Sequence, residues 1–187
     1  YEHSLVTSGK NVQEYIDSTS WAKEHSSDYV YDQKLAEDGT PKVELLREFE
    51  LDFSSYNTGR FTYDETTGKY KIVQYSKPYI DGNTGEQVSV NNVLVLETDV
   101  RVISGDTEGR LKIQMTGTGE GTYFCGGKAI AIQWSKKDKN HPFVYTKLDG
   151  SPLVLEQGTS YVCIMDPDKS TLTIPVPETS ETEPHLN

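Results

Sequence analysis

GTGEGTYFCGGKAIAIQWSKK, residues 117–137, is the stretch on which the reading of this chain turns. Glycines alternate at its front, and Gly126-Gly127-Lys128 follows. Two phosphate-binding templates compete here with a plain β-turn. A dinucleotide fingerprint, G-x-G-x-x-G, starting at Gly117 needs its third glycine where Thr122 stands. A P-loop ending on Gly127-Lys128 also needs glycine at Thr122, and Ala129 replaces the hydroxyl that would hold magnesium. After Lys128 the chain alternates as a strand, with Ile130, Ile132 and Trp134 on one face and Ala129, Ala131 and Gln133 on the other. No helix N-terminus is on offer to an anion. Both templates fail. The stretch predicts a wide hairpin turn between residues 111–115 and 123–134, its glycines supplying positive φ or a bulge.

The same period of two extends in both directions. Upstream, Phe49, Leu51 and Phe53 alternate with Glu48, Glu50 and Asp52. Phe61 and Tyr63 precede a DETTG turn, and Tyr70 and Ile72 follow it, as in a hairpin. PYIDGNTGEQ is a second turn cluster, and the continuous Val93-Leu94-Val95-Leu96 predicts a strand buried on both faces. RLKIQM alternates cleanly, which places Leu111, Ile113 and Met115 inward. Downstream, Asp149-Gly150 and Gln157-Gly158 punctuate three short strands, and TLTIPV adds an edge strand. Only the front differs: Ser8 and Asn11 are helix caps, Glu14 completes a capping box, and Val12, Tyr15 and Ile16 form a short amphipathic stripe. The predicted fold class is α+β, mainly β: an antiparallel curled sheet, barrel or sandwich of about ten strands with one short N-terminal helix.

Composition narrows the function. With 18 Lys+Arg against 29 Asp+Glu, the formal charge is -11, which repels nucleic acid and anionic headgroups. The nearest approach to a basic run, Lys136, Lys137 and Lys139, is interrupted by Asp138. No apolar run approaches the roughly 20 residues that span a bilayer. The chain begins at Tyr1 without a signal pattern, and is read as a mature product or a fragment. Cys125 and Cys163 lack the closely spaced partners of a zinc site. A disulfide between them is open if their strands are neighbours in an oxidising compartment; otherwise they act as small buried hydrophobes.

Catalytic and metal templates are missing. Residues 81–86, DGNTGE, carry oxygen ligands at spacing two but lack the later carboxylates of a calcium loop. The four histidines are scattered without HExxH or His-x-His spacing, and there is no GxSxG elbow. No metal and no cofactor is expected. Carboxylate pairs for glycoside hydrolysis depend on spatial approach, which sequence does not give. Tyr56, Tyr75, Tyr79 and Tyr145 lie near turns, where a ring can stack on a sugar or instead close the sheet in cross-strand pairs.

The run RFTYDETTGKYKIVQYSKPYIDGNTGEQVSVNNVLVL, with Tyr63, Tyr70, Asp81, Thr84, Gly85, Asn92 and Val93, resembles the YerB-like lipoproteins, a bacterial family of unknown function. The second half is similar too: Gly127-Lys128, the IQWSKK strand with Trp134 and Lys136, and YTKLDGSPLVLEQGTSYVCIMD. The resemblance covers residues 43–176. It implies that residues 1–42 are the tail of a missing N-terminal domain; the acidic stretch at 177–187, whose Pro, Ser, Thr and Glu content predicts a disordered tail, departs from the family pattern. It also implies an extracytoplasmic protein held at the cell membrane by a lipid anchor absent from this chain. No family catalytic residues carry over. The expected function is a ligand- or protein-binding module at the bacterial cell envelope, whose partner is an envelope component or another extracytoplasmic protein. Its candidate surface joins Asp81, Asn92, Lys128, Trp134 and Lys136. The alternative is a hydrolase of cell-wall polymer using paired carboxylates.

Overall fold

The computed structural model describes residues 46–175, together with Lys10, Glu14, Asp17 and the backbone of Tyr31 and Asp32. The expected short N-terminal helix, apart from Lys10, Glu14 and Asp17, and the tail at 177–187 lie outside the described residues. Strand β1 (Tyr31–Asp32) pairs in parallel with β13 (Leu155–Glu156). An antiparallel sheet then gathers β2 (Glu48–Asp52), β3 (Thr58–Asp64), β4 (Lys69–Gln74), β5 (Lys77–Pro78), β6 (Ser89–Val90) and β15 (Thr171–Thr173). Its order is β15-β2-β3-β4-β5, with β6 also on β4. A five-stranded sheet contains β7 (Asn92–Glu97), β10 (Gly117–Cys125), β11 (Lys128–Lys136), β12 (Val144–Lys147) and β14 (Ser160–Met165). Its order is β12-β11-β10-β7-β14. The remaining strands, β8 (Val100–Val102) and β9 (Leu111–Ile113), form a two-stranded ribbon.

Neither sheet closes on itself, so the barrel alternative falls, and the architecture is mainly β with open sheets. Nor is the pairing wholly antiparallel: β14 runs parallel to β7, with Tyr161 opposite Val93 and Cys163 opposite Val95. Among the described residues there are fifteen strand segments where about ten were expected, because several two-residue pairings escape any periodicity.

The sheets meet through aromatic and aliphatic side chains of alternating strands. Phe49, Leu51, Phe61, Tyr70 and Ile72 from the antiparallel sheet pack with Val93, Val95, Phe124, Cys163 and Met165 from the other. Phe49 stacks on Phe61 at 4.7 Å and, across the gap, on Phe124 at 3.6 Å. Removing such surfaces from water supplies about 25 cal/mol per Å². On the opposite face of the same sheet, Leu94, Leu96, Tyr123 and Cys125 cluster with Ile132, Trp134 and Tyr145 of the neighbouring strands and with Leu153 and Leu155. The four-residue apolar run of β7 is therefore buried on both faces, as its pattern predicts.

Two expectations are overturned. The glycine-rich stretch is not a turn: residues 117–125 form a nine-residue strand paired with both β11 and β7. The turn is the two-residue Gly126-Gly127, with φ of 55° and 70°. That handedness suits glycine in a tight hairpin. A Cβ on Gly119 would lie 2.5 Å from Trp134 Nε1, and one on Gly121 2.5 Å from the Val95 carbonyl oxygen. Gly119 and Gly121 lie where one strand face is pressed against a ring and a neighbouring backbone, whereas Gly117 has open space around it and a φ of 110°. The second correction concerns Leu111, Ile113 and Met115, which do not point inward. Leu111 is 57% exposed. Strand β9 pairs with β8 outside both sheets, so nothing among the described strands covers the alternating face.

Candidate functional site

Only part of the expected binding surface is assembled. The β7–β10 register places Asn92 opposite Cys125, and the β10–β11 register places Cys125 opposite Lys128. These three residues meet at the Gly126-Gly127 end of the hairpin. Lys136 lies at the other end of the nine-residue β11, about 26 Å from Lys128 at 3.3 Å per residue. Its ammonium donates to the His141 carbonyl and sits 5.4 Å from the centre of the Phe143 ring. One strand cannot bring its two ends to one ligand. Trp134 is buried, and its Nε1–H donates to the Glu97 carbonyl at 3.1 Å, so the ring belongs to the core. Asp81 caps its own turn, accepting from the Asn83 and Thr84 amides. Those hydrogen bonds, that from Thr84 first, hold its carboxyl below the usual range.

Around Asn92 the side chains are committed to structure. Asn92 is fully buried; its Nδ2 donates to the Glu156 carbonyl at 2.8 Å, and its Oδ1 accepts from the Tyr123 hydroxyl at 2.5 Å. The Glu156 amide donates to the Asn92 and Tyr123 side-chain oxygens. The network fixes the segment that lies over the outer core, since an unmet buried group costs about 1–3 kcal/mol. Cys125 donates its S–H to Glu156 Oε2 at 3.0 Å. Burial pushes this thiol up to about 12, so it stays protonated and is a poor nucleophile. Cys163 is a second free, buried thiol, also raised to about 12 by burial. The two lie in different core clusters, on opposite faces of the same sheet, and form no disulfide. For this reason the open disulfide is absent from the structure.

Acidic side chains that sequence alone could not group line a cleft of about 360 Å³: Glu97, Asp99, Glu120, Asp166 and Asp168, with Lys169 beside them. Asp166 among them is buried. One oxygen accepts from Lys169 Nζ at 2.6 Å and from the Val100 amide at 3.2 Å, and the other from the Asp168 amide at 3.0 Å. The Lys169 hydrogen bond is the main reason its carboxyl titrates below the usual range. Lys169 also donates to the Val100 carbonyl at 2.6 Å. Asp166 and Lys169 thus anchor the root of the β8–β9 ribbon on the cleft wall. Among the described residues, no group of three His, Cys, Asp or Glu side chains is placed to share a metal ion.

On the ribbon, the register sets Val100 opposite Ile113 and Val102 opposite Leu111. Directly opposed residues share a face, so these four side chains form one apolar surface, with Arg101 and Lys112 behind it. Val102, Leu111 and Ile113, with Met115 just beyond, are exposed. The regular alternation of β9 announced the face, but not that it would stay uncovered.

The fold and these surfaces define a two-sheet, mainly-β domain that presents an acidic cleft and an apolar ribbon. The chain belongs to the family described as "Protein of unknown function (DUF3048) C-terminal domain", which matches residues 49–162. The crystal structure of YerB protein from Bacillus subtilis is similar, with a TM-score of 0.57 and 25% identity over 67% of this chain. The chain spans 43% of the length of that structure. No curated protein sequence matches it.

Proposed function

We propose that this domain is an extracytoplasmic binding module of the bacterial cell envelope, which engages another protein through the apolar face of the β8–β9 ribbon. The observation that carries the reading is the solvent exposure of Val102, Leu111, Ile113 and Met115 on one ribbon rooted at the acidic cleft. Folding gains nothing from apolar residues left in water, whereas association gains from covering them. The extracytoplasmic assignment is supported by the resemblance to YerB-like lipoproteins. The ligand class is supported by the net charge of -11, which favours partners other than nucleic acid and anionic surfaces.

The test is binding of the purified protein to envelope fractions, comparing the wild type with Leu111→Asp/Ile113→Asp. The expected result is retention of the wild type by an envelope protein and loss of at least about tenfold in affinity for the variant. Equal retention of both would defeat the reading, as would no retention of either.

The cleft gives a specific reason to keep a second reading, hydrolysis of cell-wall polymer, because it gathers Glu97, Glu120 and Asp168 around one hollow. A glycosidase needs one carboxyl that holds a proton. Asp166, the most enclosed of the set, is instead kept ionised by Lys169. Release of reducing ends from peptidoglycan, abolished by Glu97→Gln or Glu120→Gln, would move the assignment to the enzyme.

A further inference from the structure

The structure contains two hairpin turns of the same length and handedness with opposite residue choices. Gly126 and Gly127 join β10 to β11, between the paired Cys125 and Lys128. Tyr75 and Ser76 join β4 to β5, between the paired Gln74 and Lys77, with φ of 50° and 60°. Both turns need positive φ at both central residues, which glycine and asparagine reach readily and tyrosine and serine reach at a cost. Tyr75 does not recover that cost by burial, since it is 62% exposed. A strained residue that the core does not use is a sign of a functional surface.

Other aromatic rings collect at the same end of the molecule. The Tyr75 amide donates to the Thr58 carbonyl at the start of β3, and Tyr56, 86% exposed, lies just before it in the β2–β3 turn. Tyr79, 42% exposed, follows directly after the outgoing strand. From the second sheet, Tyr161 at the start of β14 accepts a hydrogen bond from Gln74 Nε2 at 2.6 Å. Burial, with smaller effects from the neighbouring Cys163, Tyr79 and Tyr75, raises the Tyr161 phenol. Lys77 is exposed beside them. Among the described residues, none of Tyr56, Tyr75 and Tyr79 stacks on another ring.

We propose that Tyr56, Tyr75 and Tyr79, with Gln74 and Lys77, form a binding platform for a neutral oligosaccharide. A sugar ring offers a C–H face to an exposed aromatic ring and hydroxyls to the adjacent amide, phenol and ammonium groups. The net charge of -11 opposes anionic polymers. A peptide adding as a further strand is opposed by Pro78, which has no N–H to donate along the β5 edge. The platform is a different surface from the ribbon and does not depend on it.

The test uses the whole chain titrated with chitohexaose and cellohexaose, and measures urea unfolding alongside. The wild type is expected to bind at least one of them. Tyr75→Asn/Ser76→Gly relaxes the turn, so the unfolding midpoint is expected to hold or rise while affinity falls at least about tenfold. Tyr56→Ala, at an exposed position remote from the turn strain, is expected to weaken binding without lowering the midpoint. Absence of wild-type binding at millimolar sugar overturns the proposal. So does unchanged affinity in both variants, or preference for teichoic acid or a proline-rich peptide.

Discussion

Two hairpins lie side by side in the sequence and meet opposite fates. The β8–β9 ribbon has the more regular apolar alternation, yet its Val102, Leu111 and Ile113 stand in solvent. The β10–β11 hairpin starts with glycines and carries few large side chains in its first half, yet it occupies the middle of the five-stranded sheet. Alternation tells which residues share a face; it does not tell whether another element arrives to cover that face. Gly119 and Gly121 of β10 report the covering directly, because they are where neighbours come too close for a Cβ.

This contrast has measurable consequences. The largest concerns matched leucines. Leu94→Ala, inside the outer core, is expected to lower unfolding free energy by about 3 kcal/mol, while Leu111→Ala on the ribbon changes it by less than about 0.5 kcal/mol. Urea denaturation reads both, and a comparable loss at Leu111 would mean that the ribbon face is covered after all. Next comes the glycine strand. Gly121→Ala places a Cβ against the Val95 backbone oxygen and is expected to cost about 2 kcal/mol. If that variant unfolds at the wild-type midpoint, the close approach of β10 to β7 is not real.

The smallest effect is a pH response at the ribbon root. The Asp166 carboxyl is held below the usual range, chiefly by Lys169, so it contributes stability above its unfolded value. That contribution is lost as pH falls through the lower folded value, below about pH 4. The amide resonance of Val100, which donates to Asp166 Oδ2, is expected to shift over that window. The same resonance in Asp166→Asn should show no such transition; an identical profile in both proteins would mean that Asp166 does not hold the ribbon.

Much of the fold was legible before any coordinates. Phe49 and Leu51 face inward as their alternation requires, and the turn at Asp64 to Gly68 joins Tyr63 to Tyr70 across paired strands. The edge position of Thr171–Thr173 on β2 also follows from its short, proline-bounded pattern. The candidate site was less legible. Asn92 and Lys128 do approach one another, but Asn92 is spent on the backbone of Glu156, and Trp134 is spent on the core. Of the four tyrosines read as either stacking on a sugar or closing the sheet, Tyr145 is buried, whereas Tyr56, Tyr75 and Tyr79 are exposed. Nothing in their flanking residues separates these tyrosines, because exposure depends on which sheet ends beside them.

From sequence alone, local rules determined that this is a β-rich, acidic chain whose Val93–Leu96 run must be buried on both faces and whose glycine-rich stretch is no phosphate loop. Those conclusions rest on side-chain period, charge and the missing helix after Lys128, all properties of neighbours along the chain. Tertiary structure decided that Gly119 and Gly121 sit in a strand, that Leu111 and Ile113 face water, and that five acidic residues share one cleft. Each of these depends on contacts between segments far apart in sequence, where free energy is set by what packs against a face.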